Sequence, residues 1–397
     1  MDAAYIPYGA YWSTPFARWQ GSLSHLHALE FAAHIAKREL SKRKIDPGQF
    51  DYGVLGTTIP QKQSFFGTPW LLAMMGAERI SGPTISQACA TSARCLQAAA
   101  QEVAGGDAST ALIVAADRTS NGPHVYYPSP SSPGGTGQSE NWVLDNFGHD
   151  PFAKVAMVET AENVARKYQI STEEQHAVVL RRYEQYRAAK PEFFKRYMTL
   201  PFEVPSANFK KIQSTLNGDE GVVATSEEGL AKLNPVLPGG TVTYGGQTHP
   251  ADGNAGLVVT TRERAKEMAS RPDISIKLIG FGMARADAAH MPEAPVPAAR
   301  RALERAGRTI GDVAAVKSHN PFVVNDIVFA RETGFDVTAM NNNGCSLVWV
   351  HPQAPTGLRA VIELIEELAA RGGGVGLFHG CAAGDTAMAV VIEVGDR

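Results

Sequence analysis

Residues 83–116 read PTISQACATSARCLQAAAQEVAGGDASTALIVAA, and the rest of the chain is best read outward from this run. Pro83–Ala88 is a short strand that ends at Cys89. Ala90–Val103 is rich in Ala, Leu and Gln, which favours a helix, and Gly105–Gly106 stops it. Ala111–Ala116 is then a strand of the buried type. Strand, cysteine, helix, strand is an α/β order. It also places a thiol at a helix start, where unsatisfied backbone N–H groups favour a thiolate.

Upstream, Ala28–Arg43 is predicted to be an amphipathic helix. Leu29, Ala32, Ala33, Ala36 and Leu40 share one side, and Lys37, Arg38, Lys42 and Arg43 form a solvated end. Tyr52–Ile59 follows as an apolar strand. Downstream, Asn121–Asp150 mixes Pro, Ser, Gly, aromatics and His149 without a lasting period, and reads as a long functional loop. Val164–Arg187 is mostly helical, with a fresh start at Ser171 signalled by Glu174 three residues on. Thr241–Val259 is Gly-rich and then apolar.

The C-terminal part repeats the early pattern. Val313–Lys317 is a strand ending near His319, and Phe335–Met340 is another. His351 stands just before the helix Thr356–Ala370, and Gly374–Phe378 and Met388–Val394 are strands around Gly380–Gly384. Cys89 and His351 therefore hold similar places, each before a long helix in its own half. This suggests two similar α/β halves, which as pseudo-twofold partners would bring Cys89 and His351 together.

The chain has 397 residues, 44% hydrophobic and 19% charged, with a net charge of −3. That is the composition of a globular enzyme with a large core, not of a disordered chain or of a binder of nucleic acid or anionic membrane. No apolar stretch approaches the ~20 residues of a membrane span. Residues 1–21 have no basic-then-apolar signal pattern, so a cytoplasmic protein is expected. Cys89, Cys95, Cys345 and Cys381 show no CxxC pair and no zinc-ligand spacing. Cysteine chemistry here is then nucleophilic or acid–base, with packing of a small buried thiol as the alternative for each. His319, in a loop after a strand, and His351, at a strand-to-helix turn, are of a kind that local sequence alone more often makes structural or solvated than catalytic.

The order of motifs resembles the thiolase family along nearly the whole chain. Thr14-Pro15-Phe16 with Gly21-Ser22-Leu23 resembles its N-terminal segment, and Cys89–Gln101 the segment of its nucleophile. Gly105-Gly106-Asp107 before Ala111–Ala116 resembles the turn that follows. Met157–Ala165 is similar to "MGxTAENVA", Thr241–Gly253 to "TVTAGNASGINDG", and Asn343–Arg359 to "NGGAIALGHPIGASGAR". Gly380-Cys381 matches the last catalytic motif. There are departures. His319-Asn320-Pro321-Phe322 replaces Asn-Glu-Ala-Phe, Val350 and Ala383 replace glycines, Thr248 replaces a serine, and Gln353-Ala354-Pro355-Thr356 replaces Ile-Gly-Ala-Ser.

The resemblance implies an α/β fold of duplicated halves. Mixed five-stranded sheets would lie in an α/β/α/β/α arrangement, with an inserted loop domain. Residues 1–120 with 241–265 would form the N-terminal half, 121–240 the insert, and 266–397 the C-terminal half. It implies an acyl-CoA C-acyltransferase that cleaves a 3-ketoacyl-CoA with CoA, or runs the reverse condensation, in fatty or aromatic acid metabolism. Cys89 would be the nucleophile, His351 its base and Cys381 the second acid–base. His319 would serve one oxyanion site, and the N–H groups of Cys89 and Ala383 the other. Met157 and Thr248 would touch the pantetheine arm of CoA. CoA enters as substrate, with no metal and no permanently bound cofactor. A homodimer or tetramer is implied, with a small OB-fold, zinc-ribbon protein as a further partner in some relatives. The nearest rival, a decarboxylating ketoacyl synthase, uses one Cys and two His, so Cys381 argues against it. A non-catalytic scaffold subunit would have no need of Cys89 and His351.

Overall fold

The computed structural model describes residues 3–395. Two mixed sheets dominate. The first runs Tyr11–Ser13, Ala251–Thr260, Thr110–Arg118, Tyr52–Gly56, Thr84–Ile85, and the two-residue strand Ala17–Arg18 also pairs with Ala251–Thr260. The second runs Ile276–Arg285, Thr386–Val394, Gly374–Ala382, Val313–His319. Each sheet carries parallel pairs, Tyr52–Gly56 with both Thr110–Arg118 and Thr84–Ile85 in the first, and Val313–His319 with Gly374–Ala382 in the second.

The alternation of side chains along the strands builds the layers. In Thr110–Arg118, Ala111, Ile113 and Ala115 face the helices Thr91–Gly105 and Pro355–Ala370. Leu112, Val114 and Ala116 point the other way, under Ala28–Lys42 and Gly67–Met75. In Thr386–Val394, Met388, Val390 and Ile392 face the same central helices, and Ala387, Ala389 and Val391 meet Pro295–Arg305 and Val323–Thr333. The result is five layers, α/β/α/β/α. Gly357 lets the central layer close, because a Cβ there would come within 3.1 Å of both Ser92 and Phe378.

Pro355–Ala370 is buried on every side as far as Leu368, charged residues included. Its Glu363 accepts from Tyr197, Lys317 and Arg359, and its Glu366 from Tyr8, Tyr11 and Arg196. Arg359 pairs in turn with Asp219. Buried charges need such partners.

The structure departs from the sequence reading at several points. Phe335–Met340 is not a strand but a turn around Val337–Ala339, because Asp336 accepts from the Thr338 N–H and hydroxyl and bends the chain. The second sheet therefore has four strands among the described residues, and the first has five plus the short Ala17–Arg18. Asn121–Asp150 is not an irregular loop. It forms a hairpin, His124–Tyr127 with Gln138–Asn141, and a one-turn helix Leu144–Gly148. Four-residue polar strands are too short to show a period. The strands read at Pro83–Ala88 and Tyr52–Ile59 shorten to Thr84–Ile85 and Tyr52–Gly56, while Ser171 caps the helix Thr172–Ala188 by accepting from the Glu174 N–H. No helix among the described residues is long and apolar enough to cross a membrane.

Candidate active site

The two central helices start at the same place. Cys89 precedes Thr91–Gly105 and His351 precedes Pro355–Ala370. Ser92 Oγ donates to the Ala354 carbonyl, and the Ala354 N–H donates to Asp117 at 2.9 Å. Asp117 also takes the N–H groups of Thr58 and Ile59 and the hydroxyls of Thr57 and Thr58. One buried carboxylate thus ties the end of the first sheet to the turn that carries His351. Burial pushes Asp117 up to about 6, against the hydrogen bonds that pull it down.

Cys89 Sγ lies 3.2 Å from His351 Nε2 and 3.2 Å from Gln353 Oε1. On the other side of its ring, His351 Nδ1 is 2.5 Å from Thr356 Oγ1. With the Nδ1 proton toward Thr356, the Nε2 lone pair faces the thiol. Burial pushes Cys89 up to about 12, opposed by its own N–H and that of Ala383. Burial also brings His351 down to about 3. Both shifts favour a neutral thiol–imidazole pair at rest, so the proton leaves sulfur as the sulfur attacks. Ala88 holds a φ of 44°, which turns Cys89 out of the strand line.

His319 stacks on His351 with ring centroids 4.0 Å apart and a 30° tilt. Its Nδ1 meets Ser346 Oγ at 2.9 Å, while its buried Nε2 has no protein partner. Burial, then the neighbouring His351 and His379, hold His319 far below the usual histidine range. Cys381 is buried, takes a hydrogen bond from Asn325 Nδ2 at 3.2 Å, and is pushed well up by burial and then by Cys89 nearby. Cys89, His319, His351, Cys381 and the Ala383 N–H therefore lie close together.

A cavity of about 580 Å³ opens onto Cys89 and His351, and Met157 and Thr248 line it. Trp142 and Phe147 contribute to its wall, but Tyr126 and Tyr127 do not, being 61% and 48% exposed. Sequence reasoning missed Asp117, Ser346 and Asn325, whose roles come from tertiary hydrogen bonds. It saw Gln353 only as a departure, although its side chain reaches the sulfur. The replacement of glycine by Val350 also has a visible cost. Val350 sits at φ 70°, ψ −179°, a region in which only glycine is relaxed.

Two cysteines and two histidines gathered near the point where two central helices begin, in a five-layer α/β/α/β/α fold, are the arrangement of a thiolase-type acyltransferase. Comparison with known proteins agrees. Residues 10–263 match "Thiolase, N-terminal domain" and residues 273–394 match "Thiolase, C-terminal domain". The chain belongs to the thiolase family. It is 28% identical over 388 residues to an acetyl-CoA acetyltransferase of Allochromatium vinosum, covering 94% of this chain and 95% of that protein. It is 28% identical over 391 residues to beta-ketothiolase BktB of Cupriavidus necator, covering 96% of each. Its fold matches human mitochondrial 3-ketoacyl-CoA thiolase in complex with CoA, with a TM-score of 0.88, 26% identity, and 99% and 98% of the two chains covered.

Proposed function

We propose that this enzyme cleaves a 3-ketoacyl-CoA bearing a bulky apolar acyl group, by thiolysis through an acyl-Cys89 intermediate, or runs the reverse condensation. The observation that carries the reading is the cavity, whose wall beside Cys89 includes Ile59, Trp142, Val143, Phe147, Met291 and Phe322. Apolar walls of this kind favour a large acyl group. Cys89 Sγ attacks the 3-keto carbon while His351 Nε2 takes the thiol proton. The C2–C3 bond then breaks, the acyl group stays on sulfur, and Cys381 protonates the departing acetyl-CoA carbanion. In the second half, Cys381 takes the proton of incoming CoA, whose sulfur displaces the acyl group from Cys89. The N–H groups of Cys89 and Ala383 stabilise one oxyanion, and His319 the other. The His319 role requires the Ser346 hydroxyl to turn its proton toward Nδ1, leaving the His319 proton on Nε2.

Met157 and Thr248 hold the pantetheine arm. The chain divides into an N-terminal half at 1–120 with 241–265, an insert at 121–240 and a C-terminal half at 266–397. Support for this division comes from Ala251–Thr260, which returns to the first sheet. Four free thiols support a cytoplasmic setting, and the exposed Phe65 and Phe66 support a homodimer or tetramer. The test is a panel of 3-ketoacyl-CoA thioesters assayed for CoA-dependent cleavage, with intact-mass detection of acylated Cys89. Bulky substrates should outrank acetoacetyl-CoA. The opposite ranking would overturn the substrate reading, and absence of an acyl-enzyme would overturn the intermediate.

A further inference from the structure

Cys89, His319 and His351 offer one sulfur and two ring nitrogens that all lie within 4.8 Å of one another. We infer that these three side chains form a reversible inhibitory site for a thiophilic divalent cation, Zn²⁺, bound in competition with the acyl thioester. The donor set is of the kind zinc takes: one thiolate and two imidazoles, with the fourth position open to water from the cavity. Zinc bonds of ~2.3 Å to sulfur and ~2.0–2.1 Å to nitrogen place tetrahedral donors roughly 3.4–3.6 Å apart. The Cys89–His351 separation of 3.2 Å is already close to this. The His319 donor, within 4.8 Å of the other two, must move closer to complete the set.

The surroundings of the two rings are those of metal ligands. A ligating histidine usually donates its second N–H to an oxygen, which fixes the tautomer and aims the lone pair. His351 Nδ1 faces Thr356 Oγ1, and His319 Nδ1 faces Ser346 Oγ. The Ser346 hydroxyl in turn has Asn320 Oδ1 within 3.0 Å as an acceptor. With its proton there, Ser346 Oγ accepts from His319 Nδ1–H and leaves the His319 Nε2 lone pair bare. That Nε2 is the buried polar atom with no protein partner. Zinc takes thiolate sulfur and imidazole nitrogen, so binding here releases the Cys89 thiol proton. The cavity that opens onto Cys89 and His351 gives the cation its path. The third donor exists because residue 319 is histidine.

The inhibitory consequence rests on Cys89 being the nucleophile, but the site itself does not. The test begins with full-length protein washed with chelator. Titration calorimetry with Zn²⁺ in buffers of different ionisation enthalpy should give one site per chain and release of about one proton. Titration with Co²⁺ should give a thiolate-to-cobalt charge-transfer band. A saturating acyl-CoA, or iodoacetamide block of Cys89 verified by peptide mass, should abolish both signals. His319→Gln should weaken Zn²⁺ by roughly tenfold or more. An unchanged Zn²⁺ affinity in the blocked protein would overturn the proposal, as would an unchanged affinity in a folded His319→Gln variant or the absence of the cobalt band. Zinc binding without thiolysis would instead refute the function proposed above, and thiolysis without zinc binding would refute this site alone.

Discussion

Cys89 Sγ and His351 Nε2 sit 3.2 Å apart although 262 residues separate them in the chain. The contact exists because two helices from different sheets begin at one point, so neither residue can move without its helix. We expect Cys89→Ser to lower turnover by roughly 10⁴-fold or more while leaving thermal stability near that of the parent. Cys381→Ala should also block turnover, yet still allow slow acylation of Cys89 visible by intact mass. Loss of that acyl-enzyme in Cys381→Ala would show that C2–C3 cleavage has no proton donor other than Cys381.

Trp142 and Phe147 line the cavity, whereas Tyr126 and Tyr127 face solvent. Trp142→Ala or Phe147→Ala should lower kcat/KM for a bulky 3-ketoacyl-CoA by about 10–100-fold while changing acetoacetyl-CoA cleavage little. Tyr126→Ala should alter neither. Equal losses on large and small substrates would mean that the wall supports the fold and not selection.

Val350 carries backbone strain of about 1–3 kcal/mol at φ 70°. It is also buried, against Phe16, Ala251 and Trp349. Val350→Gly relaxes the backbone and gives up that packing, worth about 2–3 kcal/mol. The two effects nearly cancel, so urea denaturation should place the variant within about 1 kcal/mol of the parent. A loss above about 3 kcal/mol would show that the strain is relieved elsewhere.

His379 lies buried against Phe329, ring centroids 3.9 Å apart, and neither ring nitrogen has a protein partner. Burial lowers it to about 4. Its folded value is thus below the ordinary ~6.5 of the unfolded chain. The stability linked to it is present in full above pH ~6.5 and is lost as pH falls toward 4, because only the unfolded chain takes the proton. His379→Phe removes this loss, about 2 kcal/mol by pH 5, and also removes two unpartnered nitrogens. Chemical denaturation at pH 7 and pH 5 should therefore show the variant gaining most at pH 5. An equal effect at both would mean that His379 is not held neutral.

The fold was legible where burial is uniform and the period is long. Ala111–Ala116 and Met388–Val394 announced themselves as strands because both of their faces are covered. The hairpin at His124–Asn141 did not, since four-residue strands with polar faces carry no period. The turn at Val337–Ala339 was misread because apolar Phe335, Val337 and Met340 outweighed the turn-forming Asp336. Of the site, Cys89, His351, His319 and Cys381 were visible through motif order. Asp117 was not, because a carboxylate at a strand end looks the same in sequence whether it meets solvent or five donors. Gln353 was visible as a departure but not as a neighbour of sulfur, since that depends on the turn after His351.

The buried charges of Pro355–Ala370 bear on how the protein folds. Glu366 is satisfied by Tyr8 and Tyr11 from the start of the chain, and Glu363 by Tyr197 from its middle. Arg359 is satisfied by Asp219. Residues 273–394 expressed alone would leave Glu366 without Tyr8, Tyr11 and Arg196, and Arg359 and Glu363 with only Lys317 and each other. The C-terminal half therefore depends on the rest of the chain to satisfy its central helix. The central helix of the C-terminal half is thus completed by residues that precede it in the chain.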